Sequence, residues 1–300
     1  MRRSFFKGLI IVIGLSLISF CSDIKAPPGD QYQQVLDAYV EAFSSRDRHA
    51  LVEVHHASCF YVDPEGTVEV YDEDNPLKPV FLSEDIKDIN WSRANWEGRK
   101  VVERSRDKVH VIARLALYDN KGVKLASYDG IYILVWHERR WGIYGYSLFK
   151  PEVNEKKALM ARSEYFMDKR PGQMKAILKV LDDYLKSFNA SDKEGHLDTH
   201  HFPHFRLSEK KLSLYSRGNH YVTIPLFFSL FKALSGFKWH HSRWDHLKAV
   251  QASDKKVHMI TRISRLTGDN EVYNSSDSLY IMSIKNGKWG IRGRSSFASF

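Results

Sequence analysis

The chain has only two cysteines in 300 residues, and it lacks the motifs that usually accompany metal or nucleotide chemistry. It contains no Cys-x-x-Cys pair and no His-Glu-x-x-His motif, and no carboxylate stands at metal-ligand spacing. A glycine-rich phosphate loop, a dinucleotide fingerprint and a nucleophile elbow are also missing. We therefore expect neither a metal ion nor a cofactor.

Long apolar runs are scarce. The apolar stretch 8–20 follows basic residues and is too short for a comfortable membrane span. This pattern is typical of an export signal. It leads into Leu-Ile-Ser-Phe-Cys, which looks like a bacterial lipoprotein lipobox in which Cys21 would be acylated after cleavage. Because Phe20 replaces the usual small residue, a plain signal peptide or an uncleaved anchor is the alternative. With Cys21 acylated, Cys59 would have no disulfide partner, and we expect it to be a buried apolar residue. We predict a signal peptide over residues 1–21 and a lipoprotein of the cell envelope, facing the periplasm or anchored to the membrane.

The size and the charge distribution indicate two unlike halves. With 43% hydrophobic and 27% charged residues, the chain is ordinary for globular protein and long enough for about two domains. Residues 21–150 carry 17 Lys and Arg against 21 Asp and Glu, whereas residues 172–300 carry 20 against 11. Opposite charges favour packing of the halves on each other, or contact of the basic half with an anionic ligand or membrane; a solvated basic surface is the alternative. No clustered basic run occurs, so we expect no nucleic-acid partner.

One nine-residue stretch occurs twice. Residues 141–149, Trp-Gly-Ile-Tyr-Gly-Tyr-Ser-Leu-Phe, return as residues 289–297, Trp-Gly-Ile-Arg-Gly-Arg-Ser-Ser-Phe. In an extended strand, alternate side chains would share one face, namely those of Trp141, Ile143, Gly145, Ser147 and Phe149. We expect the second copy to repeat that face.

The repetition extends over most of the chain. At an offset of 145, residues 35–60 match residues 180–205 at nine positions, and at an offset of 148, residues 91–149 match residues 239–297 at twenty. This agreement indicates an internal duplication. We predict a first domain, a linker and a second domain over residues 30–150, 151–171 and 172–300.

Periodicity predicts helices before strands in the first copy. Apolar residues at helical spacing predict a helix through Ser45, and Asp47 is the expected N-cap of a second helix that ends at His55 or His56. Further helices are predicted around residues 83–89 and 155–167. A short strand at 59–62 precedes alternating stretches that predict strands over residues 100–104, 109–118, 126–137 and 141–149. Helices followed by an antiparallel meander indicate an α+β fold.

This order of elements, with Tyr-Val-Asp-Pro-Glu-Gly at 61–66 and Arg-Trp-Gly-Ile at 140–143, resembles the nuclear transport factor 2-like superfamily. The second copy is similar to small SnoaL-like bacterial proteins through Phe-Pro-His-Phe-Arg at 202–206, Trp-His-His-Ser-Arg-Trp at 239–244 and Asp-Ser-Leu-Tyr at 277–280. The resemblance implies two tandem cone-shaped domains, each a curved antiparallel sheet wrapped around N-terminal helices and enclosing a pocket. It also implies packing through the sheets, within one chain or in a homodimer.

A histidine and an arginine share one face of a predicted strand, as His110 and Arg114, and the second copy repeats both. They could place an acid/base group and an anion clamp in a cavity. The interpretation that we favour is that they serve the fold. In that case the histidine is bonded to a backbone carbonyl and the arginine is paired with Asp129 or Asp277.

The second copy holds nine of the 14 histidines, namely His196, His200, His201, His204, His220, His240, His241, His246 and His258. Imidazoles near a pocket could shuttle protons or bind metal ions. Our cavity candidates are His204 with Arg206, His241 with Arg243, and Asp277 with Tyr280; polar contacts at the rim are the alternative. Trp239 and Trp244 could stack on a ligand ring or belong to the core.

From these residues we predict an exported, lipid-anchored protein that binds a small or anionic ligand in the second-domain pocket without catalysis. The ligand contacts would come from Arg206, Arg243, Tyr280, Trp239 and Trp244. The rival hypothesis is a pocket enzyme, a lyase, isomerase or hydrolase, with His204, His241 or Asp277 as general acid or base. A third is a structural envelope module. SnoaL-like cyclases often carry His or Asp in the last strand, where this chain has residues 145–147 and 293–295, and this departure favours binding.

Overall fold

The computed structural model describes residues 29–78, 89–150, 152–153, 170–236 and 238–297. The proposed signal peptide with Cys21, the helix predicted at 155–167 and nearly all of the helix predicted at 83–89 lie outside the described residues.

The first half begins with helices and continues with strands. Its helices are α1 (Tyr32–Ser45) and α2 (Arg48–Glu53). Its strands are β1 (His55–Val62), β2 (Val68–Tyr71), β3 (Arg93–Arg104), β4 (Lys108–Tyr118), β5 (Lys124–His137), β6 (Arg140–Leu148) and β7 (Glu152–Val153).

The second half repeats this order and has a long third helix. Its helices are α3 (Pro171–Ala190), α4 (Lys193–Asp198) and α5 (Arg217–Leu234). Its strands are β8 (His200–Ser208), β9 (Lys211–Tyr215), β10 (His241–Ala252), β11 (Lys256–Leu266), β12 (Val272–Lys285) and β13 (Lys288–Ser296). The predicted duplication of an α+β unit is confirmed, whereas β2, β9 and α5 were not predicted. Within the described ranges, none of the helices combines the length and the apolar character that a membrane crossing requires.

Short helices begin at equivalent aspartates in the two halves. Asp47 accepts a hydrogen bond from the backbone N–H of Ala50 at 3.0 Å, which confirms its predicted role as N-cap of α2. Asp192 accepts one from Gly195 at 3.1 Å at the start of α4. An aspartate that caps the first turn satisfies an N–H that has no partner within the helix.

Each half forms one mixed sheet. The strand order is β2-β1-β6-β5-β4-β3 in the first half, with β7 beside β5, and β9-β8-β13-β12-β11-β10 in the second. The predicted antiparallel meander is present in both, but β1 and β6, like β8 and β13, run parallel. The parallel pair arises because the first strand of each half joins the sheet beside the last strand of that half.

The two faces of each sheet are both covered. Helix α1 packs on one face of the first sheet, where Leu36, Tyr39 and Phe43 join a buried core with Tyr132 and Tyr146. The opposite face packs against the second sheet, and one apolar cluster includes residues of both, among them Phe60, Ile112, Ile131, Ile133, Phe205, Leu207, Leu279 and Ile281. The sheets therefore pack together within one chain.

The recurring histidines lie at this contact between the sheets. His110 Nε2 is 2.9 Å from Ser295 Oγ, and His258 Nε2 is likewise 2.9 Å from Ser147 Oγ. The other ring nitrogen of His110 is 2.7 Å from a carboxylate oxygen of Glu103. The prediction that these histidines have a structural role is confirmed. The prediction that they bond to a backbone carbonyl is wrong, because their partners are side chains of the facing sheet and of the adjacent strand.

The recurring arginines form ion pairs within their own sheets. Arg114 donates to both carboxylate oxygens of Asp129, at 2.8 and 2.7 Å, and the pair is buried. Arg262 contacts both oxygens of Asp277 at 3.0 Å, in an exposed position. The predicted arginine–aspartate pairs are confirmed in both halves.

The repeated strand does not keep all its alternate residues on one face. Trp141 and Ile143 belong to the helix-side core, whereas Ser147 bonds to the facing sheet. A register shift between β5 and β6 falls between Ile143 and Gly145. The predicted single face is wrong because this bulge reverses the alternation. The second half has the same irregularity between β12 and β13.

Replacing Gly293 with alanine is expected to lower the free energy of unfolding by about 1–3 kcal/mol, because a Cβ there would overlap the ring of Phe205. That ring cannot move freely, since it packs on Phe60 with centroids 4.2 Å apart. Urea unfolding followed by circular dichroism measures the loss. Gly218→Ala is the control, since no atom lies within 4 Å of a Cβ there; equal stability of the two variants would contradict the steric argument.

Candidate binding cavity in the second half

A small cavity lies on the helix side of the second sheet. It has a volume of about 20 Å³, enough for one water molecule or ion. Its lining comes from α3, α4, β8, α5, β12 and β13, and consists of Tyr184, His196, His200, His204, Arg206, His220, Tyr280, Ile291 and Arg294. Two cationic side chains and four imidazoles meet here, and no carboxylate is among these nine residues.

Strand β8 places two of the predicted residues in the cavity. Phe205 and Leu207 point to the facing sheet. Successive side chains of a strand alternate between faces, so His204 and Arg206 point to the helix side. His204 is buried, and Arg206 is partly exposed.

The ring of His200 lies beside the other three imidazoles of the cavity. Its centroid is 4.5 Å from that of His204, 5.0 Å from that of His196 and 5.3 Å from that of His220. Burial lowers the pKa of His196 to about 3 and that of His220 to about 4. Burial also lowers the pKa values of His200 and His204 well below the ordinary value. The cluster is therefore uncharged at neutral pH.

Several ring nitrogens of this cluster have no hydrogen-bond partner. Both nitrogens of His220 and the Nδ1 atoms of His196 and His204 are buried without one. His200 differs, because its Nδ1 lies 2.8 Å from the carbonyl oxygen of His196. Buried polar atoms without partners are uncommon and often mark a bound group.

Two arginines stand side by side at the cavity. Arg206 on β8 is in register with Arg294 on β13. Arg294 donates to Ser278 Oγ at 3.1 Å and to the hydroxyl of Tyr184 at 3.3 Å. Burial lowers the pKa of Arg206, and Arg294 lowers it further. Burial would raise the pKa of Tyr184, but Arg294 and Arg206 outweigh it, and the pKa falls.

The equivalent place in the first half is filled by aromatic rings. Tyr61 and Tyr146 replace the arginine pair in the same register, with ring centroids 5.1 Å apart. Tyr146 in turn stacks on Tyr132 at 5.8 Å. Leu51 stands in place of His196, and Cys59, which is buried, in place of His204. The two copies share a scaffold, but only the second has this polar lining.

Of the predicted site residues, His204, Arg206 and Tyr280 line the cavity, and the structure brings none of the other five into its lining. His241, at the start of β10, is 3.1 Å from His240 between their Nδ1 atoms. Arg243 is exposed and pairs with Asp245 at 3.1 Å. Asp277 is held by its arginine partner on β11.

The predicted tryptophans are packing residues in this structure. Trp239 is buried beside Phe188, and its Nε1 donates to Ser242 Oγ at 2.9 Å. Trp244 donates to the carbonyl oxygen of Leu181 at 3.2 Å and packs near the cavity residue Tyr280, with ring centroids 5.9 Å apart.

Sequence reasoning missed Arg294 as a cavity residue and gave little weight to His196, His200 and His220. A signal for Arg294 was available, because tyrosine in the first copy becomes arginine at the matched position within an otherwise repeated strand. A signal for His196 was its match to Leu51. His220 lies on α5, which periodicity did not reveal.

No family model and no curated protein matches the chain. Solved structures similar to it include ActVI-ORFA from Streptomyces coelicolor, at 16% identity over 43% of this chain and 98% of that one, with a TM-score of 0.36. An NTF-2 like protein of unknown function from Shewanella oneidensis is 11% identical over 41% of this chain and 98% of that one, with a TM-score of 0.31. A Nostoc punctiforme protein of unknown function with a cystatin-like fold is 12% identical over 40% and 86%, with a TM-score of 0.34.

Each of these matches covers about the length of one half of the chain. The structure itself contains two α+β units with the same order of elements. At these identities the likeness concerns the fold alone, and we transfer no residue roles.

Proposed function

We propose that this chain is an exported, lipid-anchored protein of the cell envelope whose second domain binds a small anion in the cavity without catalysis. The observation that carries the binding is the pair Arg206 and Arg294, in register on neighbouring strands and facing a cavity without a lining carboxylate. Export and anchoring are supported by the N-terminal sequence pattern, with acylation at Cys21.

The charge of the cavity favours an anionic ligand. Withdrawing a guanidinium from water costs free energy that an opposite charge or good hydrogen bonds must offset. Arg294 has hydroxyl partners in the cavity region, from Ser278 and Tyr184. A carboxylate or another small oxoanion would supply both negative charge and acceptor oxygens, and arginine binds such groups through paired N–H donors.

The size of the cavity restricts the bound group. A volume of about 20 Å³ accommodates one small ion and no extended ligand. The first half offers no such place, since Tyr61 and Tyr146 fill it. We therefore expect one anion per chain.

The rival hypothesis of a pocket enzyme has less support in the geometry. Of the three candidates for acid/base catalysis, only His204 lines the cavity, whereas His241 and Asp277 are held elsewhere. His204 is buried, and the lining contains no carboxylate to orient its ring or to share its proton. The arrangement thus favours binding over proton transfer.

Replacing Arg294 with tyrosine, the residue of the first half, is expected to weaken anion binding at least 100-fold, because the variant loses one arm of the arginine pair. Isothermal titration of the full-length protein with acetate, phosphate and sulfate measures the affinity. Native mass spectrometry of protein purified from its own envelope shows any retained anion, and also whether Cys21 carries acyl chains.

The matched control is Arg243→Ala, which removes an exposed arginine outside the cavity and should leave the affinity unchanged. Binding by Arg294→Tyr at the wild-type level, or equal losses in both variants, would contradict the proposed site. Circular dichroism checks that each variant is folded.

A further inference from the structure

Three of the cavity histidines stand together at the spacing of a metal site. One potential ligand nitrogen from each of His196, His200 and His220 lies within 4.8 Å of the others, and all three residues are buried. They come from α4, from the start of β8 and from α5, so three separate elements converge. In a tetrahedral zinc site, bonds of about 2.1 Å place nitrogens about 3.4 Å apart, which small side-chain rotations can reach.

The hydrogen bonds of this triad leave nitrogens available for a ligand. His200 Nδ1 is next to the carbonyl oxygen of His196 at 2.8 Å, an oxygen that can only accept. The proton of His200 is therefore on Nδ1, and the lone pair of its Nε2 is available to a metal ion. This arrangement is typical of metal-binding histidines. His220 has no partner on either nitrogen, and His196 has none on Nδ1.

The first half provides an internal comparison. His55 occupies the place of His200 and keeps the same bond, with Nδ1 at 2.6 Å from the carbonyl oxygen of Leu51. Leu51 itself offers no ligand atom in place of His196. The backbone arrangement therefore belongs to the shared scaffold, whereas the second and third imidazoles are particular to the second half.

We propose that His196, His200 and His220 bind one divalent transition-metal ion per chain, of which zinc is the representative, through three imidazole nitrogens. Imidazole suits zinc, copper and nickel, and three neutral ligands leave one coordination position open in the same cavity as the arginine pair.

The neighbouring arginines set a condition on this site. Arg206 and Arg294 repel a dication, so the ion must be held by good imidazole geometry. The cavity volume of about 20 Å³ has room for one ion, so the metal ion and the anion that we propose for the arginine pair would compete for it. The metal site nevertheless goes beyond the proposed function, and each can be tested without the other.

Full-length protein without a histidine tag, stripped with a chelator, is titrated with zinc against a chromogenic competitor. We expect one equivalent to bind, and we expect cobalt at the same site to give the visible absorption of tetrahedral coordination. His220→Gln and His196→Leu, which installs the first-half residue, should each weaken zinc binding at least 100-fold. His241→Gln, outside the cavity, is the matched control and should bind as the wild type does.

Failure of the wild type to bind one zinc ion, or wild-type affinity in a folded His196→Leu or His220→Gln variant, would overturn the metal site. Circular dichroism and thermal unfolding establish that the variants are folded. The Arg294→Tyr variant separates the two proposals, because it should lose the anion and keep zinc. If the stripped protein binds an anion but no zinc, only the metal site fails; if it binds zinc but no anion, only the proposed anion binding fails.

Discussion

Replacing Lys256 with methionine is expected to lower the free energy of unfolding by about 3–5 kcal/mol. The Lys256 side chain is buried, and its ammonium reaches from the second half into the first. There it donates to the backbone carbonyl oxygens of Val62, Asp63 and Leu148, the first at 3.1 Å. Methionine has similar length and no donor, so all three carbonyls lose this partner.

The magnitude follows from the cost of those carbonyls. A buried acceptor left without a donor costs about 1–3 kcal/mol, and three carbonyls lose a donor here, of which that of Asp63 keeps the backbone N–H of Gly66 at 3.0 Å. Removing the buried charge offsets part of this loss of stability, because the ammonium no longer has to be desolvated on folding. Urea unfolding of the full-length chain at pH 7, followed by far-ultraviolet circular dichroism, measures the difference.

The chain offers a matched control in Lys108, which occupies the equivalent position in the first half. Lys108 donates to the carbonyl oxygen of Ser296 at 2.9 Å, across the same contact in the opposite direction. Since one carbonyl is affected and not three, Lys108→Met should cost about 1–3 kcal/mol. A Lys256→Met loss no greater than that of Lys108→Met would show that the three carbonyls are not what stabilises the contact.

The internal repeat allowed the two-domain α+β architecture to be predicted, because matched residues at constant offsets require matched elements. Pairing β1 with β6 could not be predicted from periodicity, since a strand's pattern reports its faces and not its neighbours. The bulge after Ile143 could not be predicted either. It turns the side chains that follow to the opposite face of the sheet, and the spacing of apolar residues in the sequence does not reveal this change.

The same limits explain which residues of the candidate site could be predicted from the sequence. His204 and Arg206 were found because β8 pairs with β9 without a register shift between them, so its alternation can be read directly. Asp277 and Tyr280 were expected in one pocket, yet they are three residues apart on a strand and therefore face opposite sides. Arg294 was not predicted as a cavity residue, because the last strand was assessed for acid/base residues alone. The change from Tyr146 to Arg294 between the copies adds a positive charge there.

Glu103 brings a carboxyl to the contact between the sheets, with a side chain only 7% exposed, and its replacement is the other large effect that we expect. Glu103 lies against His110, with a carboxylate oxygen 2.7 Å from Nδ1. Burial, with a smaller contribution from the charge of Asp277, raises the pKa of Glu103 to about 9, against the lowering effects of the Ser278 backbone, Arg294 and Lys108. Burial also lowers the pKa of His110 well below its ordinary value. At neutral pH the pair is therefore uncharged.

A carboxyl whose pKa is higher in the folded than in the unfolded chain stabilises the fold only at low pH. The unfolded glutamate ionises near pH 4.5, so stability falls as the pH rises from there toward 9. At pH 7 the difference is about 3 kcal/mol, at 1.36 kcal/mol per pH unit. The buried histidines, such as His196 with its pKa lowered to about 3, change stability below about pH 6.5, and Lys108, whose pKa burial lowers to about 8, does so from about pH 8. The window in which Glu103 dominates is therefore about pH 6.5–8.

Glu103→Gln is expected to raise the free energy of unfolding by about 3 kcal/mol at pH 7 and to flatten its pH dependence between about pH 6.5 and 8. The second half already uses this solution, since Gln251 Oε1 lies 3.0 Å from His258 Nδ1. The control is Glu97→Gln, which removes a glutamate paired with Lys124 nearer the surface and should change stability by less than about 1 kcal/mol. Urea unfolding at several pH values is the test: a wild type equally stable at pH 6.5 and pH 8, or a Glu103→Gln variant no more stable than Glu97→Gln at pH 7, would show that the buried carboxyl does not limit the stability of the contact between the sheets.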